Sequence, residues 1–493
     1  MPTRSSVPLL GGQTSFLLFI TFFTFGMAAI LVKVPPEMGG ALVVGIIVFI
    51  STFMSAEAGL YLLIVSMLLS PEFGAGGLGD GNDTTSSRGV TLRAEDILLV
   101  LLGFAWLART AVNKDLGLIR PTPLNAPIGS YVAICLLATL AGFIAGHVRG
   151  ITGFFYVLKY IEYFIVYFLI CNNIHSHRQI EKFLVVMLVT AFIVCLTAIA
   201  QIPSGARVSA PFEGERGEPN TLGGYLILVG SVTACLALHL KNKKLTRYLW
   251  SLLGLMIIPF FATLSRGSYL ALPFVYGTVA YFRPGKRVQM VAVLVLISAV
   301  GVIFMPKSVV ERITYTFNQG YTQQEKKKIG NVELDTSTSE RLTSYQEALT
   351  DGLKSPLWGY GVTGYGFLDA QYPRIWVETG LLGLFFFFSL LYNVAKQSLK
   401  LFKETEIPLY RGLSMGLICG VVGLIVHGLG ANTFTIVRVM EPFWLISGLV
   451  VSAYKLEMAD RASAELERAD AEHSELEEAD TEVDAVETKN KLV

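Results

Sequence analysis

Apolar runs of about 16 to 23 residues recur along almost the whole of this 493-residue chain, each long enough to cross a bilayer core as a helix. No other feature constrains the fold as strongly. In lipid every backbone N–H and C=O must find its partner inside the protein, so only helices and closed barrels span. A barrel would show segments of about ten residues with alternating hydropathy, and the sequence has none. Charged residues make up only 16% of the chain, against roughly 25% in an ordinary globular domain, and hydrophobic residues 53%. The chain therefore reads as an all-α polytopic membrane protein.

Hydropathy predicts about fourteen spans (12–14), near 14–33, 38–53, 56–70, 96–112, 127–146, 152–171, 180–202, 220–240, 247–264, 266–283, 288–305, 376–397, 410–429 and 435–454. The pairs 38–70 and 247–283 each fit one long kinked helix or two short ones. The first run has no convincing small-residue cleavage site and reads as a retained helix. With the N-terminus inside, alternate loops carry Arg109, Lys114 and Arg120; Arg178 and Lys182; Lys241, Lys243, Lys244 and Arg247; Arg283, Lys286 and Arg287; and Lys396, Lys400, Lys403 and Arg411. All five are basic, as the positive-inside rule asks of cytoplasmic loops. Loop 203–219 and the large loop 306–375 then face outward, and both termini are cytoplasmic.

The chain divides into N-terminal transmembrane helices (1–202), a core with the large loop (203–455) and an acidic tail (456–493). The tail is rich in Glu, Asp and Ala, has no aromatic residue, and reads as solvated and helical or disordered. In the large loop, Ser337-Thr338-Ser339-Glu340 fits a capping box, and Leu342, Tyr345, Leu349 and Leu353 follow at helical spacing. Lys354-Ser355-Pro356 ends that helix. The glycine-tyrosine segment 359–366 suits a tight turn near a ligand, or a plain flexible connector.

Arg266, in Leu264-Ser265-Arg266-Gly267-Ser268-Tyr269, is the first candidate functional residue. A guanidinium cannot shed its charge, so placing one between two apolar spans is costly and marks a use. Arg216 lies at the mouth of another span, in Glu213-Gly214-Glu215-Arg216-Gly217-Glu218. Its acidic neighbours suit a plain surface arginine; two arginines at one membrane face also suit a bidentate clamp on a diphosphate. Lys159 sits three residues before Glu162 on one helical face and either pairs with it or reaches a lipid-linked phosphate. Asp369 and Glu378 are candidate general bases, with a loop-surface acid and a helix N-terminal acid as the plain alternatives. His427 fits a satisfied polar residue at another external turn, and Arg438 and Glu441 fit a pair within the last helix.

The five cysteines (Cys135, Cys171, Cys195, Cys235, Cys419) all fall in apolar runs, at spacings that suit packing rather than zinc or disulfides. A net charge of +1 gives no bulk case for nucleic acid. There is no Walker loop, dinucleotide fingerprint or His-Glu-x-x-His, so no cofactor and no metal is expected. An external site has no cytosolic ATP, and its substrate must arrive activated; a lipid diphosphate meets that requirement.

Four segments in this order resemble the O-antigen ligase and O-antigen polymerase superfamily of bacterial envelope glycosyltransferases. They are Glu218-Pro219-Asn220-Thr221-Leu222-Gly223-Gly224-Tyr225-Leu226; Leu264-Ser265-Arg266-Gly267-Ser268-Tyr269-Leu270-Ala271; Glu340-Arg341 through Pro356-Leu357-Trp358-Gly359-Tyr360-Gly361; and Asp369 through Gly383. The resemblance implies a C-type glycosyltransferase-like membrane fold with a periplasmic site in the bacterial inner membrane. It also implies a glycan donor on undecaprenyl diphosphate and an inverting, metal-independent transfer. Periplasmic arginines bind the donor in that family; Arg216 and Arg266 match them in context, and Arg341 and Lys159 complete the expected set. Ligases of the family carry a histidine-asparagine pair three residues before the tyrosine of the last segment, where this chain has Asp369-Ala370.

That departure favours a polymerase of exopolysaccharide or O-antigen repeats, with Asp369 as base, Glu378 as second choice and Arg266 stabilising the leaving group. Its partners would be the lipid-linked glycan donor and acceptor, membrane lipids, and chain-length regulators or other polysaccharide assembly proteins. The rivals are a ligase acting on lipid A core or protein, and a transporter or flippase of lipid-linked sugars. Transporters show internal repeats and broken helices at the midplane; no convincing repeat is present here.

Overall fold

The computed structural model describes residues 47–70, 72–73, 92–112, 120–148, 150, 152–213, 217–283, 285, 328–329, 332–333, 336–366 and 368–490. Their helices are α1 (Ala56–Leu69), α2 (Ala94–Val112), α3 (Asn125–Ile144), α4 (Thr152–Asn173), α5 (His177–Gln201), α6 (Pro219–His239), α7 (Lys243–Ala262), α8 (Arg266–Tyr281), α9 (Thr336–Gly352), α10 (Gln371–Glu404), α11 (Pro408–His427) and α12 (Val437–Asn490). Two antiparallel ladders of two residues per strand are the only extended pairing among the described residues: Glu72–Phe73 with Leu92–Arg93, and Lys328–Ile329 with Val332–Glu333. Among the described residues, eight helices are long and apolar enough to cross a membrane: α3, α4, α5, α6, α7, α10, α11 and α12.

The expected spans at 14–33 and 288–305 lie outside the described residues, and 38–53 is described only from residue 47. Three others are not among these eight. α1 has 14 residues and α8 has 16, while α2 carries Glu95, Asp96 and Arg109. Both ambiguous stretches contain two helices: the first breaks at Ser55, and the second breaks between Ala262 and Arg266. The acidic tail continues α12 without a break as far as Asn490.

α6, α11 and α12 form the centre. About four fifths of each apolar window is buried, 83%, 78% and 83%, against 22% for the peripheral α7. Small residues draw α6 and α11 together. A Cβ on Gly412 would lie 2.9 Å from the Leu236 Cα, and one on Gly416 would lie 2.6 Å from the Val232 Cα. Glycines four residues apart thus let two backbones touch, as membrane helices do when lipid supplies no hydrophobic drive. On the other side of α12, Trp444 meets Phe164 and Tyr167 of α4 edge to face. All five cysteines are free and buried, with Cys235 and Cys419 4.0 Å apart across the α6–α11 contact, so they are packing residues.

α10 is the irregular element. Gly380 adopts φ 66°, ψ −163°, and splits the helix into a short first part and a long second part. The freed backbone groups are satisfied by the segment after α9. Tyr360 N donates to Val377 O at 2.7 Å, Gly361 N to Glu378 O at 2.8 Å, and Leu381 N to Pro356 O at 2.8 Å. Irregular backbone at membrane depth survives only where protein supplies such partners.

The polar cluster at the helix N-termini

One end of the bundle, the end where α6 and α8 begin, gathers the candidate residues. Ser265 caps α8 by accepting from Ser268 N at 3.4 Å. Its hydroxyl donates to Asn220 Oδ1 in the first turn of α6 at 2.8 Å, and Ser268 Oγ donates to Ser265 Oγ at 2.9 Å. Gly223 makes this possible, because a Cβ there would lie 2.1 Å from Ser268 Oγ. The first turns of α6 and α8 are thus locked side by side. Arg266 is the first residue of α8 and is half-buried. Two positive helix ends and a guanidinium together favour an anion. Arg207 braces the α7–α8 break, donating through Nε to Thr263 O at 3.1 Å and through Nη2 to Leu264 O at 3.3 Å.

His427 ends α11 and is fully buried beneath this arrangement. Its Nδ1 lies 2.7 Å from Thr433 Oγ1, while Nε2 has no hydrogen-bond partner. The ring sits between two glycines: a Cβ on Gly224 would approach Cε1 to 3.6 Å, and one on Gly267 would approach Cδ2 to 3.5 Å. Above it, Gly430 N donates to His427 O at 3.1 Å, and a Cβ on Gly430 would be 3.7 Å from Arg341 Nη1. α9 therefore lies across the 428–430 turn, held also by Tyr345 Oη donating to Leu429 O at 2.9 Å. Arg341 Nη2 meets Asp369 Oδ2 at 3.4 Å. Asp369 is fixed from behind, where Gln371 N donates to Gly428 O at 3.2 Å and Asn432 Nδ2 donates to Leu368 O at 2.8 Å. Arg266, Arg341, Asp369 and His427 thus occupy one contiguous region, built from α8, α9, α10 and α11.

Other expected site residues have different surroundings. Glu378 is buried, 3.1 Å from Arg374 Nε, and accepts from Thr363 N at 3.3 Å. That places it as a bracket holding the glycine-tyrosine segment onto α10. The segment itself is packed: Val362 N donates to Thr139 Oγ1 at 3.3 Å, and Gly361 abuts Ala138 and Thr139 of α3. Lys159 is committed to two carboxylates, Asp96 at 2.5 Å and Glu162 at 3.0 Å. It pairs with Glu162 as its spacing allows, and with a second acid 63 positions earlier that no local pattern announces. Arg438, fully buried, reaches well beyond its own helix: it donates to Pro211 O at 2.5 Å and Ser70 O at 3.1 Å and lies 3.9 Å from Glu213. Arg216 lies outside the described residues, and its flanks are joined by Glu218 N donating to Glu213 Oε2 at 2.9 Å. At the far end of α9, the ammonium of Lys354 and then the Tyr365 hydroxyl hold the Asp351 carboxyl below its ordinary range. Among the described residues, no group of three or more His, Cys, Asp or Glu side chains is placed to hold a metal ion.

These features define a class: a polytopic helical membrane protein with a cationic, helix-capped polar site at one end of its bundle. Residues 251–388 match the family described as O-Antigen ligase, which supports a place in the O-antigen ligase and polymerase superfamily. The match spans Arg266, Arg341, Asp369 and Glu378, and stops before His427. No curated protein matches the chain.

Proposed function

We propose that this protein joins undecaprenyl-diphosphate-linked oligosaccharide repeats of an exopolysaccharide or O-antigen, in the bacterial inner membrane with the polar site facing the periplasm. The observation that carries the reading is the convergence of the α6 and α8 N-termini, with Arg266 opening α8, near the Arg341–Asp369 pair. In the transfer, the bond from the donor's anomeric carbon to its diphosphate oxygen breaks. The leaving diphosphate gathers negative charge against Arg266, Arg341 and Arg216, where preorganised donors are worth most. The acceptor hydroxyl attacks the anomeric carbon from the opposite face and gives its proton to Asp369. Arg341 has a dual place, since its pairing with Asp369 holds that carboxylate toward the cationic side. Lys159 and Glu378 are left out of the mechanism because each is already bound in an ion pair, half-buried for Lys159 and buried for Glu378.

Arg266→Ala is expected to abolish polymer in cells while lipid-linked single repeats accumulate, because one lost charge-stabilising donor lowers the rate roughly 10²–10³-fold. Normal polymer length in that variant, at wild-type protein level, sinks the assignment. The family description itself favours a second reading, transfer of a finished glycan to lipid A core or protein. A deletion strain that makes full-length but unattached polymer selects this ligase reading.

A further inference from the structure

The end of α9 and the turn that follows it expose Leu349 (62%), Leu353 (70%), Leu357 (54%) and Trp358 (41%), four large apolar side chains within ten residues. A patch of that kind on a soluble surface would mark a binding site or an aggregation hazard. Its position argues for something else. Gly361 packs against Ala138 and Thr139 of α3, and Thr139 lies five residues inside the end of that span at Ile144. At 1.5 Å per residue, that is about 8 Å below the helix end. On α10, the carbonyls of Pro356 and Leu357 press against Gly380, and Pro356 accepts from Leu381 N. Leu381 is itself exposed, and on the same helix so are Phe385 and Phe388. Ile144 and Phe143 are exposed beside the turn's α3 contact. The patch therefore continues the apolar outer surface of two spanning helices.

We propose that residues 353–358 form a lipid-immersed turn, dipping from the α9 end into the adjacent leaflet along α3 and α10. The backbone can tolerate this depth because the turn bonds to itself and to α10: Lys354 N donates to Asp351 O at 2.9 Å, Ser355 N to Gly352 O at 3.2 Å and Gly359 N to Ser355 O at 3.0 Å, Pro356 has no N–H, and its carbonyl accepts from Leu381 N. Leu353, Leu357 and Trp358 face acyl chains, while Lys354 turns back to pair with Asp351 at 2.6 Å, which keeps the charged side of the turn at headgroup level. The turn anchors the C-terminal end of α9, whose opposite half carries Arg341. The inference is independent of which glycan reaction the protein performs.

The test uses the full-length protein in phosphatidylethanolamine–phosphatidylglycerol vesicles. Nitroxide labels are attached at Leu353→Cys and, separately, at Leu357→Cys, with Glu465→Cys on the exposed tail helix as the water reference. The five native cysteines are buried, and labelling of the unsubstituted protein sets the background. Collision with oxygen is compared with collision with a water-soluble nickel chelate. The expected result is an oxygen-to-chelate ratio at 353 and 357 several-fold above that at 465. A ratio equal to the reference overturns the proposal, because the turn then stands in water. Labels shielded from both reagents also overturn it, since a second copy or another protein then covers the patch.

Discussion

Replacing Gly380 by alanine tests whether the break in α10 is what seats the turn and, with it, the approach to Asp369. The residue adopts φ 66°, ψ −163°, a region essentially confined to glycine, where another residue costs roughly 1–3 kcal/mol. Space is also lacking, since a Cβ would lie 2.4 Å from Leu357 O and 2.5 Å from its carbonyl carbon. The turn must retreat, which breaks the 2.8 Å bond from Leu381 N to Pro356 O and leaves buried backbone groups unpaired. Each of the two groups costs about 1–3 kcal/mol, so with the backbone strain the total loss is about 3–9 kcal/mol. Gly254→Ala in α7 is the matched control, because nothing lies within 4 Å of its added methyl. There alanine is expected to be neutral, or better than glycine by up to about 1 kcal/mol. Thermal unfolding of the two variants in detergent gives the comparison. A Gly380→Ala protein as stable as Gly254→Ala refutes the account of the break.

Gly416→Val places a branched side chain where a Cβ alone would sit 2.6 Å from the Val232 Cα, so α6 and α11 must separate. Overpacking of this kind costs about 1–3 kcal/mol or more, and the melting temperature should fall accordingly. An unchanged melt means the two helices do not touch there. Glu378→Gln leaves Arg374 buried with a neutral neighbour, which is expected to cost about 3–5 kcal/mol. The double variant Arg374→Met, Glu378→Leu should recover much of that loss. If Glu378→Gln instead melts like the unsubstituted protein yet makes no polymer, Glu378 is the catalytic base and Asp369 is not.

Much of the helical plan was legible because a bilayer imposes a length and a composition on each spanning segment. The helix 336–352 is legible in the spacing of Leu342, Tyr345 and Leu349, whereas the sequence leaves 247–283 open between one kinked helix and two, and the structure breaks it at 263–265. The break at Gly380 did not, since an apolar run with glycine at 380 and 383 reads equally well as one smooth helix. His427 looked like an ordinary interfacial residue until packing set its ring between Gly224 and Gly267.

By itself the sequence determined that this chain lives in a membrane, roughly where most of its described helices lie, and that Arg266 stands at the mouth of one. Those are local matters, fixed by hydropathy, capping and the rise of a helix. Only the tertiary structure decided the company each charge keeps. Lys159 is held by Asp96, Arg341 meets Asp369 across 28 positions, and Arg438 binds carbonyls from two distant loops. Those partnerships follow from how closely small residues let the helices pack, and no window of sequence contains both sides of such a contact.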